Sequence, residues 1–212
     1  MELNASKSDY MIFNFSHKYQ FQTRLHLNGS FLEQVGKKKL LGLTIRDDLS
    51  WKSNTEEIIK KAYKRMIILR NLFQFGVPRN DLIQIYFLYI RSVVEQSAVV
   101  WHSSLTEGER LDLERVQKVA LRLILKEDYH TYSHALQLTG LPTLESRRKS
   151  LCLSFAKKCV QSEATKDMFP LNEHIKKTRK PEKYYVPFAR TDRLANSAIP
   201  YMARLLNNEH NS

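Results

Sequence analysis

The apolar pattern of this chain changes period once, at Ser53, and that change sets the class of fold open to it. Before Ser53 the apolar residues alternate: Phe13 with Phe15, then Phe21, Thr23, Leu25 and Leu27. A period of two marks a half-buried strand. Asn28-Gly29 follows, a pair that readily takes the two positive φ values of a type I′ hairpin turn. Phe31 to Val35 reads as the return strand, and Lys39 to Ile45 as a third strand after a turn at Gly36. After Ser53, residues Ile58, Ala62, Met66, Leu69 and Phe73 recur at helical spacing and form one face of an α-helix. The expected class is α+β and mostly α: a small N-terminal antiparallel β-meander, then a helical bundle, then a partly extended C-terminal tail. Three strands alone are stable only with one face buried, so the meander reads as the edge of something larger.

Local signals place the helices. Ser53-Asn54-Thr55-Glu56 fits a capping box at the start of the first, and Gly76 and Pro78 end it. The next, from about 80 to 95, is apolar nearly all round and belongs inside a bundle. A third is expected from Glu107 to Lys126, with Leu113, Val116, Ala120 and Leu123 inward. A short one at about 131 to 139 ends at Gly140 and Pro142. A fifth runs from an N-cap at Thr143 to about Gln161, with Leu144, Leu151, Phe155 and Cys159 inside. Pro170, Pro181, Pro187 and Pro200 interrupt a basic stretch beyond Ala164. They predict extended chain over 165–212, with one amphipathic helix near 196–207. The expected segments are thus 1–51, 52–105, 106–164 and 165–212.

Composition narrows the function classes. Hydrophobic residues make up 42% of the chain, enough apolar surface for a core, which excludes a disordered segment. Cys152 and Cys159 are the only cysteines. Seven residues apart on a helix they stand about 10 Å apart along the axis, too far for a disulfide. A reducing, intracellular setting is expected, nucleus or cytoplasm. Met1 to Tyr10 is polar, with no secretory core, and no apolar run has the length of a bilayer span. The 34 Lys+Arg exceed the 22 Asp+Glu, and the formal net charge of +12 points to a polyanionic partner.

Catalytic constellations are sparse. Asp47-Asp48 resembles a carboxylate pair for a hard cation. No third acid stands at a recognisable spacing, and the pair reads as a strand-to-helix turn. His130 and His134 share a helix face but lack the intervening Glu of a zincin motif. Neither a G-x-S-x-G elbow nor a glycine-rich phosphate loop is present.

The basic residues carry more. Between 37 and 70 there are ten (Lys37, Lys38, Lys39, Arg46, Lys52, Lys60, Lys61, Lys64, Arg65 and Arg70) against four acids, half of the chain's excess of +12. Lys60 with Lys64, and Lys61 with Arg65, lie one turn apart, so the first helix presents a positive face. Such a face is either solvated or tracks phosphates. Arg147, Arg148 and Lys149 with Lys157 and Lys158 form a second cluster. Tyr184-Tyr185, beside Lys180 and Lys183, either stacks on unpaired bases or packs the tail onto the bundle.

The run Lys39-Leu40-Leu41-Gly42-Leu43-Thr44-Ile45-Arg46-Asp47-Asp48-Leu49-Ser50-Trp51 resembles the K-x-L-G-v-x-i-x-x-x-L-s-W signature that closes the reverse-transcriptase domain of jockey-like non-LTR retrotransposons. Four later groups resemble the region after that polymerase. They are Ile85-Tyr86 with Ile90-Arg91-Ser92-Val93; Val100-Trp101-His102; Leu113-Glu114-Arg115-Val116-Gln117-Lys118; and Leu141-Pro142-Thr143-Leu144 with Arg147-Arg148. The resemblance implies that residues 10–51 are the end of the palm, with Lys39, Leu41 and Gly42 in a primer-grip turn. It makes 53 to about 105 the thumb, and 107–212 the C-terminal region. The partner it implies is nucleic acid, an RNA template or an RNA–DNA duplex. Candidate contacts are Lys39, Leu41, Gly42, Lys60, Lys61, Lys64, Arg65, Arg147 and Arg148. The family's catalytic motif lies upstream of these segments, and Asp47-Asp48 follows the Leu-Gly turn where that motif precedes it. No catalytic residue, metal site or cofactor is therefore expected here, Mg²⁺ being implied only for the full-length family enzyme. The expectation is a fragment of an RNA-directed DNA polymerase that keeps the grip and lacks the chemistry. The alternative is a basic helical protein-interaction module, whose apolar 80–95 helix would expose a patch.

Overall fold

The structure, a computed structural model, describes residues 4–15, 24–173 and 182–210. The chain divides into two units, residues 1–57 and 58–212, and is α+β with helix predominating.

The first unit is built from short strand pairs. β1 (Asp9–Tyr10), β2 (His26–Leu27), β3 (Ser30–Phe31), β4 (Glu33–Gln34), β5 (Lys37–Leu40) and β6 (Leu43–Arg46) form three two-stranded sheets. β2 and β3 are antiparallel around Asn28-Gly29, with φ of 49° and 78°. β5 and β6 are antiparallel around Leu41-Gly42, with φ of 48° and 86°. Both turns have the positive angles that two-residue hairpins require. β1 pairs with β4 in parallel, Asp9 opposite Glu33 and Tyr10 opposite Gln34. The expected three-stranded antiparallel meander is thus two hairpins and one parallel pair, because Gly36 and the two-residue strands interrupt the ladder. The expected alternation at Phe21 and Thr23 lies outside the described residues. Among the described strands only β6 has buried residues: Leu43 and Thr44 are buried, and the Thr44 N–H donates to the buried Asn54 Oδ1 at 3.2 Å.

α1 runs Lys52–Gln74, the residues to Glu57 belonging to the first unit. It starts before Ser53, so Ser53 is not the cap; its Oγ lies 3.5 Å from the Arg46 guanidinium instead. A capping box does form at Thr106, whose Oγ1 accepts from Glu109 N–H while Glu109 Oε2 accepts from Thr106 N–H.

In the second unit Ile58, Ala62, Met66 and Leu69 are buried as the spacing predicts, and Phe73 is half-buried. α2 (Arg79–Ile85), a π-helical turn (Tyr86–Arg91) and α3 (Ser92–Glu95) make up the expected 80–95 helix. Ser97, at φ 51°, breaks the path before α4 (Ala98–Trp101) and a 3₁₀ turn at His102–Ser104. α5 (Glu107–Leu125), α6 (Tyr132–Thr139) and α7 (Leu144–Gln161) follow. The N-cap at Thr143 is as expected, its Oγ1 accepting from Ser146 N–H at 3.1 Å. Phe155 faces solvent and Leu151 is half-buried, so the inner face of α7 is carried by Leu144, Arg148, Cys152, Ala156 and Cys159.

The tail ends in α8 (Asp192–Ala195) and α9 (Ala198–His210). It is extended in part, but it is packed down: Phe169, Tyr184, Met202, Ala203, Leu205 and Leu206 join Cys152, Ala156 and Cys159 in one cluster. The Asn207 side chain takes both backbone groups of Tyr184, accepting from its N–H at 2.8 Å and donating to its carbonyl at 2.9 Å. Of the two readings of the tyrosine pair, Tyr184 is packing, while Tyr185 stays exposed. No helix among the described residues is long and apolar enough to cross a membrane.

Candidate nucleic-acid interface

From Ile58 to Asn80 the chain has no acidic residue. The apolar stripe of α1 turns inward, so the residues between its members turn out. Lys60, Lys61, Lys64 and Arg70 are exposed. Among the described residues none of the four has a carboxylate within the 4.0 Å of an ion pair. Four uncompensated cations on three turns of one helix make a surface potential that only a polyanion or salt can neutralise. Arg65 is used differently. Its Nη1 donates to the Tyr89 carbonyl at 2.6 Å, which ties α1 to the π-helical turn.

In the first unit, Leu41 stands at the tip of the β5–β6 hairpin, 92% exposed, with Gly42 exposed beside it. Lys39 Nζ pairs with Glu57 Oε2 of α1, 3.3 Å away. Asp48 is not a free ligand. Ser50 N–H donates to its Oδ1 at 2.9 Å and Arg46 reaches both oxygens, at 3.2 and 3.3 Å. These contacts, the Ser50 amide foremost, lower its pKa to about 2. Among the described residues no three His, Cys, Asp or Glu side chains gather as a metal site.

Arg147 and Arg148 require a correction. Arg147 Nε lies 3.2 Å from Glu95 Oε1, which also takes Arg91 Nε at 3.0 Å. Arg148 is fully buried, so it offers nothing to a phosphate backbone. Its Nε–H donates to His102 Nδ1 at 3.4 Å, and its guanidinium lies 5.9 Å from the Trp101 ring centroid. The charge cluster that makes both arginines candidate contacts does not reveal which turn of α7 faces the core.

A second polar assembly went unread in the sequence. The Tyr86 hydroxyl donates to Gln117 Oε1 at 2.5 Å, and Gln117 Nε2 donates to the Pro142 carbonyl at 2.9 Å and to the Tyr132 hydroxyl oxygen at 3.0 Å. Tyr132 donates to Glu114, whose carboxylate also accepts from the N–H groups of Leu144 and Glu145 at 3.0 and 3.2 Å. Glu114 thus caps the N-terminus of α7, where backbone donors lack helical partners. The signal was available: Gln117 interrupts the inward stripe of α5 next to Val116. Tyr86, Arg91, Trp101, His102, Glu114, Gln117, Pro142, Leu144, Arg147 and Arg148 belong to the later segments singled out in the sequence. The structure gathers them into buried and half-buried contacts among the helices. Their role there is to hold the second unit together.

Burial sets one pH dependence. Desolvation, then the charge of Arg148, lowers the His102 pKa from 6.5 to about 4. The folded state therefore keeps the ring neutral, while the unfolded chain protonates it below about pH 6.5. The stability tied to this group is complete above pH 6.5 and is lost as the pH falls towards 4. It amounts to about 3 kcal/mol at most. Urea titrations between pH 7 and 4 are expected to show this slope, flattened in His102→Gln; an unchanged slope in that variant refutes the assignment.

No family model, curated protein or solved structure matches the chain.

Proposed function

We propose that this chain is the template-primer-binding part of a reverse transcriptase of the jockey-like non-LTR kind, and that the activity of these residues is binding, not nucleotidyl transfer. The observation that carries the reading is the acid-free face of α1, where Lys60, Lys61, Lys64 and Arg70 are exposed without carboxylate partners. The ordered sequence resemblance supplies the kind of polyanion, an RNA template or an RNA–DNA duplex. The β5–β6 hairpin supports it separately: a two-residue turn presents Leu41 outward on a ladder that carries Lys39.

Each lysine–phosphate contact releases condensed counterions, so four contacts give a slope of log K against log salt of about −3 to −4. Fluorescence anisotropy with a labelled RNA–DNA hybrid, from about 50 to 300 mM salt, is the test. Binding that is undetectable at the low end, or flat across the range, sinks the proposal. A second reading, a basic module for a protein partner, draws on Leu88 and Tyr89, which are 66% and 46% exposed on the otherwise apolar 80–95 segment.

A further inference from the structure

The π-helical turn at Tyr86–Arg91 is the one place among the described residues where the helical ladder of the second unit widens. Tyr86 and Ile90 of this turn are fully buried. Continued as an α-helix, Tyr89 would follow Tyr86 by three residues and lie about 60° from the inward direction. The wider π turn carries it further round, towards solvent. Two side chains bond to carbonyls of this turn. Ser92 Oγ donates to the Leu88 carbonyl at 2.6 Å, and Arg65 Nη1 to the Tyr89 carbonyl at 2.6 Å. The Tyr89 backbone is thereby tied to α1.

The surroundings of that ring are specific. Arg65 bonds the Tyr89 backbone, and Lys61 and Ile68 lie one turn to either side of Arg65 along α1. Leu88 is 66% and Ile68 40% exposed. The result is an exposed tyrosine and two aliphatic side chains at the edge of a helix with no acidic residue between Ile58 and Asn80. A duplex offers phosphates to such a surface but keeps its bases stacked on one another. An unpaired strand offers both phosphates and open base faces, and aromatic platforms beside cationic tracks bind it.

We propose that Tyr89, supported by Leu88 and Ile68, is a stacking platform for an unpaired base, so that the α1 face takes a single-stranded segment of nucleic acid. This rests on the nucleic-acid reading above and names the form of its ligand. The π turn and the Arg65 contact are the positioning device. Charge complementarity selects a polyanion, and the uncharged ring at its edge selects one with exposed bases.

The test uses anisotropy with a fluorescent 12-mer oligouridine, an abasic strand of the same length, and an RNA–DNA hybrid. Tyr89→Ala is expected to weaken oligouridine binding by about 5- to 100-fold, the range found for a stacked base, with an unchanged salt slope. It is expected to leave the abasic strand unaffected. Tyr89→Phe and Tyr89→Trp keep the ring and are expected to keep the affinity; circular dichroism checks that each variant is folded. Lys61→Ala is expected to weaken all strands and to reduce the slope by about one. Equal losses on oligouridine and the abasic strand, or no loss in Tyr89→Ala, overturn the platform. So does displacement of oligouridine by poly-glutamate at equal charge concentration, which would make the face a site for an acidic protein. If wild-type protein binds the hybrid but prefers no base-bearing strand, only this inference falls. If it binds none of the three at low salt, the nucleic-acid reading falls with it.

Discussion

Replacing Lys60, Lys61 and Lys64 together by glutamate is expected to lower affinity for an RNA–DNA hybrid by about three orders of magnitude near physiological salt. The three side chains are exposed and none meets a carboxylate, so the change touches no packing. Lysine and glutamate have similar helix propensities, so α1 should form as before. Three lost phosphate contacts account for about two orders of magnitude and reduce the salt slope by about 2.7, and the new carboxylates add repulsion. Anisotropy measured at several salt concentrations checks both numbers, with circular dichroism as the control for folding. A loss smaller than about threefold would remove α1 from the interface and leave its charge as a solvated surface.

Gln117→Leu is expected to destabilise the second unit by about 3 kcal/mol. Leucine fills much of the same volume but offers no polar atom. The Tyr86 hydroxyl and the Pro142 carbonyl would then lose the partner that the side chain now supplies to each, Tyr86 at a fully buried position. The orphaned, buried Tyr86 hydroxyl costs about 1 to 3 kcal/mol, and the lost bond to exposed Pro142 about 1 more. That sum is a large share of the 5 to 15 kcal/mol that separates a folded domain from its unfolded state. Urea unfolding followed by circular dichroism is the measurement, and a lower midpoint at constant m-value is the expected form. Arg115→Ala, which removes only the exposed pair with Asp112, should leave the curve unmoved. A Gln117→Leu midpoint as high as wild type would mean that the network is not what joins α5 to the α6–α7 connection.

Much of the helical unit was legible residue by residue. The stripe of α1, the Thr143 cap, the Gly140 ending and the C-terminal helix all follow from rules that act within a few residues. The Asn28-Gly29 hairpin was legible for the same reason. Leu41-Gly42 was less so, since leucine rarely takes a positive φ, and the turn there shows in the pairing of β5 with β6. The candidate interface divides along the same line. Lys60, Lys61 and Lys64 project outward because the stripe of Ile58, Ala62 and Met66 on the opposite face points in. Arg147 and Arg148 lie in a run of charge that looks equally exposed, yet their partners Glu95 and His102 are 52 and 46 residues away. Nothing within a turn of α7 announces those partners.

By itself, then, the sequence determined a strand-bearing start followed by helices, the tail helix, and the concentration of positive charge on α1. These depend on the 3.6-residue period and on short-range hydrogen-bonding chemistry. Only the tertiary structure decided that Arg148 lies in the core, that Gln117 and Glu114 join three helices, that the tail docks through Phe169 and Tyr184, and that a π turn holds Tyr89 outward. Each of those outcomes is a contact between residues far apart in the chain. For the buried Gln117, partners on distant segments replace the water that it gives up.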